Sequence, residues 1–134
     1  MIVRNIKEII NSKYDVSGEN WSSRRLLLHK DGMGFSMTET IIKKGTETYI
    51  WYKNHFEACY CIEGEGEVEI ADKDGNKTGE IYKIYPGILY ALDKHDKHYL
   101  RATSSDMRLV CTFNPPLTGE EIHDEEGTYP AIAE

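Results

Sequence analysis

Short stretches in which hydrophobic and polar residues alternate occupy most of the chain between Trp21 and Phe113. Alternation with a period of two is typical of β-strands that bury one face, because successive side chains point to opposite sides of a strand. Many short strands separated by glycine-containing turns favour a barrel or a sandwich over a helical fold. The pattern predicts an all-β protein with strands over residues 21–28, 35–42, 46–52, 57–62, 98–101 and 107–113, and an edge strand over residues 1–3.

Glycine and polar residues mark the ends of the predicted strands. Gly64 and Gly66 are expected to form a tight turn, since glycine accepts positive φ without penalty. The turn returns the chain as a strand containing Val68 and Ile70, so that a hairpin forms with the strand before it. The remaining segments are predicted as a turn at residues 72–76, a short helical turn at 7–10 and a polar loop at 14–19.

No repeat or linker divides the 134 residues, so one domain over residues 1–134 is expected. Pro115 and Pro116 end the last strand, because proline cannot donate a hydrogen bond to a neighbouring strand. The tail that follows, residues 117–134, is polar and acidic. Its composition by itself fits a disordered terminus as well as an ordered one.

Composition narrows the classes of partner. The chain has 16 basic and 23 acidic residues and a formal net charge of −7, which argues against nucleic-acid binding because that requires a basic surface. Its apolar runs are too short to span a bilayer, and the first residues lack the apolar segment of a secretory signal. The chain has an odd number of cysteines, Cys59, Cys61 and Cys111, and Cys59 and Cys61 share a strand face. Reduced thiols in a cytoplasmic protein are therefore expected.

Two predicted strands carry charged side chains on faces that also hold hydrophobic residues. Glu57 shares a face with Cys59, and a carboxylate buried there would need a partner, because an unpaired charge is costly to bury. A metal ion, a salt bridge and an exposed strand face remain open as explanations. Arg25 shares a face with Trp21. Its planar guanidinium could bind a carboxylate with two hydrogen bonds, or it could be a surface residue beside a core tryptophan.

Two stretches resemble the conserved motifs of the cupin superfamily, small double-stranded β-barrels that usually hold one metal ion. They are residues 55–68 (HFEACYCIEGEGEV) and residues 79–98 (GEIYKIYPGILYALDKHDKH). The match departs from the usual motif at the positions of the metal ligands. Trp51 and Lys53 stand where cupins usually carry a His-x-His pair, and Tyr90 stands where the second motif has its histidine.

The cupin resemblance implies a metal site made of Glu57, Tyr90 and His98. His95 competes with His98, which is preferred because it begins a predicted strand and strands hold ligands more rigidly. Two oxygens and one imidazole nitrogen suit Fe²⁺, and other divalent first-row metals are possible.

Several blocks make the chain similar to the L-ectoine synthase family. They are residues 20–28 (NWSSRRLLL), 31–36 (DGMGFS), 50–55 (IWYKNH), 90–101 (YALDKHDKHYLR) and 113–119 (FNPPLTG). The family is a group of hydro-lyases that close N-γ-acetyl-L-2,4-diaminobutyrate into ectoine, a compatible solute, with loss of water. The resemblance implies a cupin jelly roll whose C-terminal tail, residues 117–134, acts as a lid, and a homodimer in the cytoplasm.

The same resemblance assigns roles to individual residues. Thr38 stands where the family often has asparagine, so an amide contact is not expected there. Two alternatives remain open, a non-catalytic cupin that binds a small molecule and another mononuclear-metal cupin enzyme such as a dioxygenase. The implied substrate-binding residues are Trp21, Ser23, Arg25, Thr38, Thr40, Tyr52, Cys111 and Phe113, and proton transfer is assigned to Tyr52, His55, Glu121 or His123.

Overall fold

Two antiparallel sheets make up the structure, a computed structural model that describes residues 1–119, 121–124 and 127–129. One short helix, α1 (Ile6–Ile9), and a 3₁₀ turn (His29–Asp31) accompany them. No helix in these ranges is long and apolar enough to cross a membrane. The strands are β1 (Asp15–Ser17), β2 (Trp21–Leu27), β3 (Ser36–Ile42), β4 (Glu47–Ile50), β5 (Phe56–Glu63), β6 (Gly66–Ala71), β7 (Lys77–Ile84), β8 (Leu89–Ala91), β9 (His98–Ala102) and β10 (Met107–Asn114).

The two sheets bury their facing sides against each other. The larger sheet has the strand order β1-β2-β3-β10-β5-β8, and the smaller has the order β4-β9-β6-β7. One hydrophobic cluster joins them, with Cys61 and Leu109 from the larger sheet and Val68 and Leu100 from the smaller. The prediction of an all-β barrel or sandwich is confirmed.

The alternating pattern correctly predicted which side chains share a face, and the structure shows which face is buried. On β5, Glu57, Cys59 and Cys61 are at most 8% exposed, whereas Tyr60 and Ile62 are exposed. The same alternation buries Leu109, Cys111 and Phe113 on β10 and Ser36, Thr38 and Ile42 on β3. Glu57 therefore lies inside the barrel, and the explanation that placed it on an exposed face is excluded.

Two predictions near the N-terminus are wrong. Residues 1–3 form no strand and pair with no strand among the described residues, and Met1 and Val3 are exposed. Arg4 instead fixes this segment by donating to the Leu26 carbonyl and to the Asp31 carboxylate. Residues 15–17, predicted as loop, form β1, which pairs with β2. Three residues are too few to display an alternating pattern, so only the pairing reveals this strand.

The predicted hairpin after β5 is also wrong. β5 pairs with β10 and β8, whereas β6 pairs with β9 and β7 in the other sheet. The chain thus crosses between sheets at residues 64–65. Close backbone packing requires glycine here, because a Cβ on Gly64 would clash with the Asp106 carbonyl and one on Gly66 with the Arg101 carbonyl. The local sequence indicates a bend but not the sheet that the next strand joins.

An ion pair to Asp31 holds the N-terminal segment. Arg4 donates to the two carboxylate oxygens across 2.7 and 2.9 Å and thereby lowers the pKa of Asp31 from 3.8 to about 2. We expect Asp31→Asn to lower the free energy of unfolding by about 1 kcal/mol at neutral pH, an amount discounted because water screens surface pairs. The difference should shrink as the pH falls from 3.8 towards 2, since the carboxylate stabilises the fold only while ionised.

Urea unfolding of both proteins at pH 7 and pH 3 measures this difference. Arg4→Gln is the matched control, because it should cost a similar amount and add little when combined with Asp31→Asn. An equal loss at both pH values would show that the charge of Asp31 is not the cause.

Candidate active site

One row of side chains crosses the inner face of the larger sheet. Residues opposite each other on neighbouring strands point to the same face, so the register brings together positions that are distant in sequence. Four members of the row are at most 2% exposed, and the fifth, Tyr90, is half-buried. From strand to strand the row contains Arg25 (β2), Thr38 (β3), Cys111 (β10), Cys59 (β5) and Tyr90 (β8).

A cavity inside the barrel borders this row. Its wall consists mostly of aromatic and aliphatic side chains, and Glu57 contributes a carboxylate to it. Of the predicted site residues, the wall contains Trp21, Thr40, Tyr52, Glu57, Tyr90, Cys111, Phe113 and His123. The other six, Ser23, Arg25, Thr38, His55, His98 and Glu121, are buried in the protein but are not part of that wall.

The three predicted metal ligands come from both sheets. Burial raises the pKa of Glu57 to about 7, although the neighbouring thiols of Cys59 and Cys111 lower it in part. Burial, followed by the nearby Cys59, also raises the pKa of Tyr90 well above its ordinary value. The rings of Tyr90 and His98 are 6.5 Å apart, which places an imidazole beside the phenol.

His98 has the free ring nitrogen that a metal ligand needs. Its Nδ1 lies 2.9 Å from the Asp96 carbonyl, which can only accept, so Nδ1 carries the proton and Nε2 carries the lone pair. Burial lowers the pKa of His98, which favours this neutral form. Nε2 is buried and has no hydrogen-bond partner among the described residues. These properties of the donor set fit a divalent cation held by Glu57, Tyr90 and His98.

His95, the competing candidate, is engaged elsewhere. Its Nδ1 lies 2.7 Å from the Tyr52 carbonyl and 3.2 Å from the His55 carbonyl. Its ring stacks on Phe56 at 4.4 Å, and Phe56 is exposed on the outer face of β5. His95 therefore stabilises the loop before β5 from outside the barrel.

Arg25 offers a donor to the interior. It is 1% exposed, and it donates from Nε to Ser23 Oγ at 3.1 Å and from one terminal nitrogen to the Glu121 carbonyl at 2.7 Å. The other terminal nitrogen is buried without a hydrogen-bond partner among the described residues and lies 3.9 Å from the Glu121 carboxylate. A buried donor of this kind is ready to receive an anionic group.

Tyr52 and His123 form a hydrogen-bonded pair on the cavity wall. The Tyr52 hydroxyl lies 2.7 Å from Nε2 of His123. Burial raises the pKa of Tyr52 well above its ordinary value and lowers the pKa of His123 to about 4. At neutral pH the phenol is therefore protonated and the imidazole neutral, and the tautomer of His123 sets which of the two groups donates.

Glu121 serves the backbone of the tail. Burial raises its pKa, but hydrogen bonds from the backbone N–H groups of Thr118 and Gly119 outweigh that effect, and the net pKa is lowered. Its two oxygens accept those bonds at 2.7 and 2.8 Å. The carboxylate thus fixes the bend that leads the tail back to the barrel.

His55 makes no hydrogen bond to the other predicted proton-transfer residues within the described ranges, although the nearby Glu121 carboxylate raises its pKa in part. Its ring is fully buried, meets Phe113 and Tyr129 edge-on with ring centroids 6.1 Å apart, and finds no hydrogen-bond partner for either nitrogen among the described residues. Burial lowers its pKa. The neutral ring packs behind the aromatic part of the cavity wall.

Comparison with known proteins identifies the family. A sequence profile of ectoine synthase matches residues 1–133. L-ectoine synthase of Halalkalibacterium halodurans is 58% identical over 132 residues, which are 98% of each chain. L-ectoine synthase of Oceanobacillus iheyensis is 55% identical over the full length of both chains. The chain belongs to the ectoine synthase family. It is therefore an enzyme, a hydro-lyase, as the sequence blocks predicted.

Solved structures agree with this family assignment. The crystal structure of ectoine synthase from P. lautus superposes with a TM-score of 0.85 at 63% identity, covering 100% of this chain and 92% of the other. KdgF from Halomonas sp. matches with a TM-score of 0.60 at 19% identity, over 80% of this chain and 93% of the other. That distant match bears on the fold alone. The predicted cupin barrel is confirmed.

Sequence reasoning missed two residues of this ectoine synthase cavity. Cys59 was recognised on the same face as Glu57 but was interpreted only as a core thiol, whereas it lies on the cavity wall. Tyr129 is 4% exposed and stacks on Tyr52 with ring centroids 4.9 Å apart. The alternation on β5 could have pointed to Cys59. No local pattern in the acidic tail marks Tyr129.

Proposed function

We propose that the chain closes N-γ-acetyl-L-2,4-diaminobutyrate into the cyclic amidine ectoine. In this reaction the α-amine attacks the carbonyl carbon of the acetamide, and one water is lost. The observation that carries the proposal is the cavity, because an aromatic wall that holds one carboxylate and three phenols excludes bulk water from a dehydration. The flexible substrate would be held folded against Trp21 and Phe113, which brings amine and carbonyl together.

We propose that Glu57, Tyr90 and His98 hold a divalent metal ion, with Fe²⁺ as the expected ion. The buried, unpaired Nε2 of His98 and the buried carboxyl of Glu57 support this set. A cation bound by these groups supplies Lewis-acid polarisation of an amide oxygen, which is otherwise a weak electrophile.

Arg25 is proposed to bind the substrate carboxylate through its unpaired terminal nitrogen. Ser23 and the Glu121 carbonyl hold the other nitrogens of the guanidinium in place. Thr38 lies opposite Arg25 on β3, and its hydroxyl is 3.0 Å from that of Thr40. This pair offers hydroxyls in place of the amide that the family often has at residue 38.

Tyr52 and His123 are proposed to move the protons. Condensation requires that the attacking amine give up a proton and that the leaving hydroxyl receive one. The neutral His123 ring has one unprotonated nitrogen at neutral pH, and its Nε2 is linked to the cavity by the Tyr52 hydroxyl. An imidazolium whose pKa is about 4 is a stronger acid than an ordinary imidazolium, so it would return the proton readily to the leaving group. Glu121 and His55 are then positioning residues.

The tail, residues 117–134, is proposed to act as a lid over the cavity. His123 lies against Trp21, with ring centroids 5.3 Å apart. The backbone N–H of Trp51 donates to the Gly127 carbonyl, and Asn54 donates to the Tyr129 carbonyl. These contacts connect the tail to the end of β4. Residues 120, 125, 126 and 130–134 of the predicted lid lie outside the described residues.

A homodimer in the cytoplasm completes the proposal. β8 is an edge strand of the larger sheet, and its Leu89 is 62% exposed. Phe56 and Tyr60 are exposed on the adjacent β5, and the apolar residues 1–3 are exposed as well. A second copy would cover these surfaces, and light scattering of the purified chain measures whether it does. The three free buried thiols fit a reducing compartment.

A turnover assay tests the proposed reaction. Purified, Fe²⁺-loaded protein is incubated with N-γ-acetyl-L-2,4-diaminobutyrate, and ectoine is quantified by chromatography. Binding without product would identify a non-catalytic binding cupin. Oxygen consumption with a thiol or diketone substrate, in the absence of ectoine, would identify a dioxygenase. Either result would overturn the proposed function.

The carboxylate anchor gives a separate prediction. We expect Arg25→Ala to raise KM at least about tenfold, because a charge-assisted hydrogen bond to the substrate carboxylate is lost, while iron content and the circular dichroism spectrum stay unchanged. Arg25→Lys should rescue poorly, since an ammonium lacks the planar fork. Steady-state kinetics of the two variants measure this. Unchanged KM and kcat in Arg25→Ala would remove Arg25 from the site.

A further inference from the structure

Two cysteine thiols outside the proposed iron set converge with Glu57, a member of that set, at one point of the cavity. Cys59 on β5 is directly opposite Cys111 on β10, and both face Glu57. The two sulfur atoms and a carboxylate oxygen all lie within 4.8 Å of one another. The three side chains are at most 8% exposed. The family resemblance accounted for Glu57 and Cys111 but gave Cys59 no role.

We propose that Glu57, Cys59 and Cys111 form a second metal-binding mode, selective for thiophilic d¹⁰ cations such as Zn²⁺ and Cd²⁺. Ligands of a tetrahedral zinc ion lie about 2.0–2.3 Å from the metal, so they are themselves a little less than 4 Å apart. The three atoms need only a small approach to reach this geometry. Because two of the three ligands are thiolates and only one is a carboxylate, this set prefers soft ions.

Metal binding in this mode requires no change of oxidation state. Each thiol loses its proton to solvent, two metal–sulfur bonds and one metal–oxygen bond form, and no oxidant is needed. The cation offsets the burial of the charged ligands. The cavity wall contains all three side chains, so an ion that enters the cavity can contact them.

The inference rests on the proposed function in one respect, because Glu57 belongs to both ligand sets. A soft cation between the two sulfurs takes Glu57 away from Tyr90 and His98 and occupies the wall beside Cys111. The two modes are therefore mutually exclusive, and Cys59 makes the site vulnerable to displacement of iron by thiophilic metals.

A cadmium titration tests the second mode directly. Metal-free protein is kept reduced with a non-thiol reductant and titrated with Cd²⁺, and thiolate-to-cadmium charge transfer is followed in the ultraviolet. The unsubstituted chain is expected to bind one Cd²⁺ with the absorbance of two thiolates. Cys59→Ser should lose at least half of that absorbance and bind Cd²⁺ at least tenfold more weakly. Cys59→Ala checks that the serine oxygen does not act as a substitute ligand.

Cys61→Ser is the matched control. Cys61 lies on the same face of the same strand and is fully buried, but its sulfur contacts the Glu63 carbonyl at 3.5 Å. This variant should retain the full cadmium absorbance. The proposal is overturned if the unsubstituted chain shows no cadmium charge-transfer band. It is also overturned if Cys59→Ser and Cys59→Ala retain the band, or if Cys61→Ser loses it. A Cys59–Cys111 disulfide found by mass spectrometry as the only product of metal exposure would overturn it as well.

Iron displacement separates this inference from the proposed function. One equivalent of Cd²⁺ should release iron from the unsubstituted chain, whereas Cys59→Ser should need at least tenfold more. If Tyr90→Phe binds iron normally while the cadmium band persists, the proposed iron site fails and the thiolate mode stands. If Tyr90→Phe loses iron but the cadmium band is absent, the thiolate mode fails and the iron site stands.

Discussion

Purified Glu57→Ala, Tyr90→Phe and His98→Ala proteins are each expected to contain less than about a tenth of the iron of the unsubstituted chain and to lose cyclisation activity in parallel. Removal of even an outer-shell partner of a metal ligand costs about 10–100-fold in affinity, so removal of a ligand from a three-residue set should cost at least as much. Tyr90→Phe is the most informative variant, because it removes one oxygen and preserves the ring that packs in the barrel. Elemental analysis of the purified proteins gives the result.

His95→Ala is the control for the metal-site prediction. Its Nδ1 binds the Tyr52 and His55 carbonyls, and its ring stacks on Phe56, so this variant should keep both iron and activity. Loss of iron in His95→Ala together with its retention in His98→Ala would show that the wrong histidine was chosen. If Tyr90→Phe retains its full iron content, the Tyr90 phenol only packs in the barrel and does not bind the metal.

Removal of the tail after Leu117 should leave a folded, metal-binding barrel with at most a few per cent of the cyclisation activity. The truncation removes His123 and Tyr129 from the cavity wall and Glu121 from beside Arg25. It opens the site to water and takes away the partner of Tyr52, and completing the site in this way is what lids commonly do. Leu117 is retained because it is fully buried, and its backbone binds Ser36 and His29.

A single substitution tests the same idea in the full-length chain. Gly127 has φ of +71°, and a Cβ there would clash with the Tyr49 carbonyl, so Gly127→Ala should push the tail off β4 and lower kcat at least about tenfold. Gly45→Ala is the matched control, because Gly45 has φ of +76° but open space around it. That variant shares the backbone strain without the clash and should stay active.

Two results would contradict the lid. Full activity of the truncated protein would make the tail dispensable. Equal losses in Gly127→Ala and Gly45→Ala would assign the effect to general destabilisation. Circular dichroism and iron content, measured on every variant, separate a displaced tail from an unfolded barrel.

The sequence was informative wherever a property is local. A period of two fixes which side chains of a strand share a face, and so the placement of Glu57 on the same face as Cys59 followed from the alternation on β5. The resemblance to ectoine synthases added the candidate site residues, since long matching blocks identify a family even when the ligand histidines are replaced, as at Trp51 and Lys53. Bends were also recognisable, because Gly64 and Gly66 interrupt the strands.

Local sequence patterns did not predict which strands pair with each other. The hairpin expected at Gly64 is instead a crossing between sheets, and β1 was missed, because both depend on partners elsewhere in the chain. The proposed choice of proton-transfer residues depends on the tertiary structure for the same reason. Tyr52 and His123 are 71 positions apart, and only folding of the tail onto the barrel brings them together.

The sequence by itself therefore determined the all-β class, which side chains of the main strands share a face, the family and the candidate site residues. Only the tertiary structure decided how they are arranged. It aligned Arg25, Thr38, Cys111, Cys59 and Tyr90 in one row across five strands, left Nε2 of His98 buried and unpaired among the described residues, and placed Tyr129 over Tyr52. The physical reason is that side-chain alternation arises within one strand, whereas register and burial arise from contacts between segments that the chain separates.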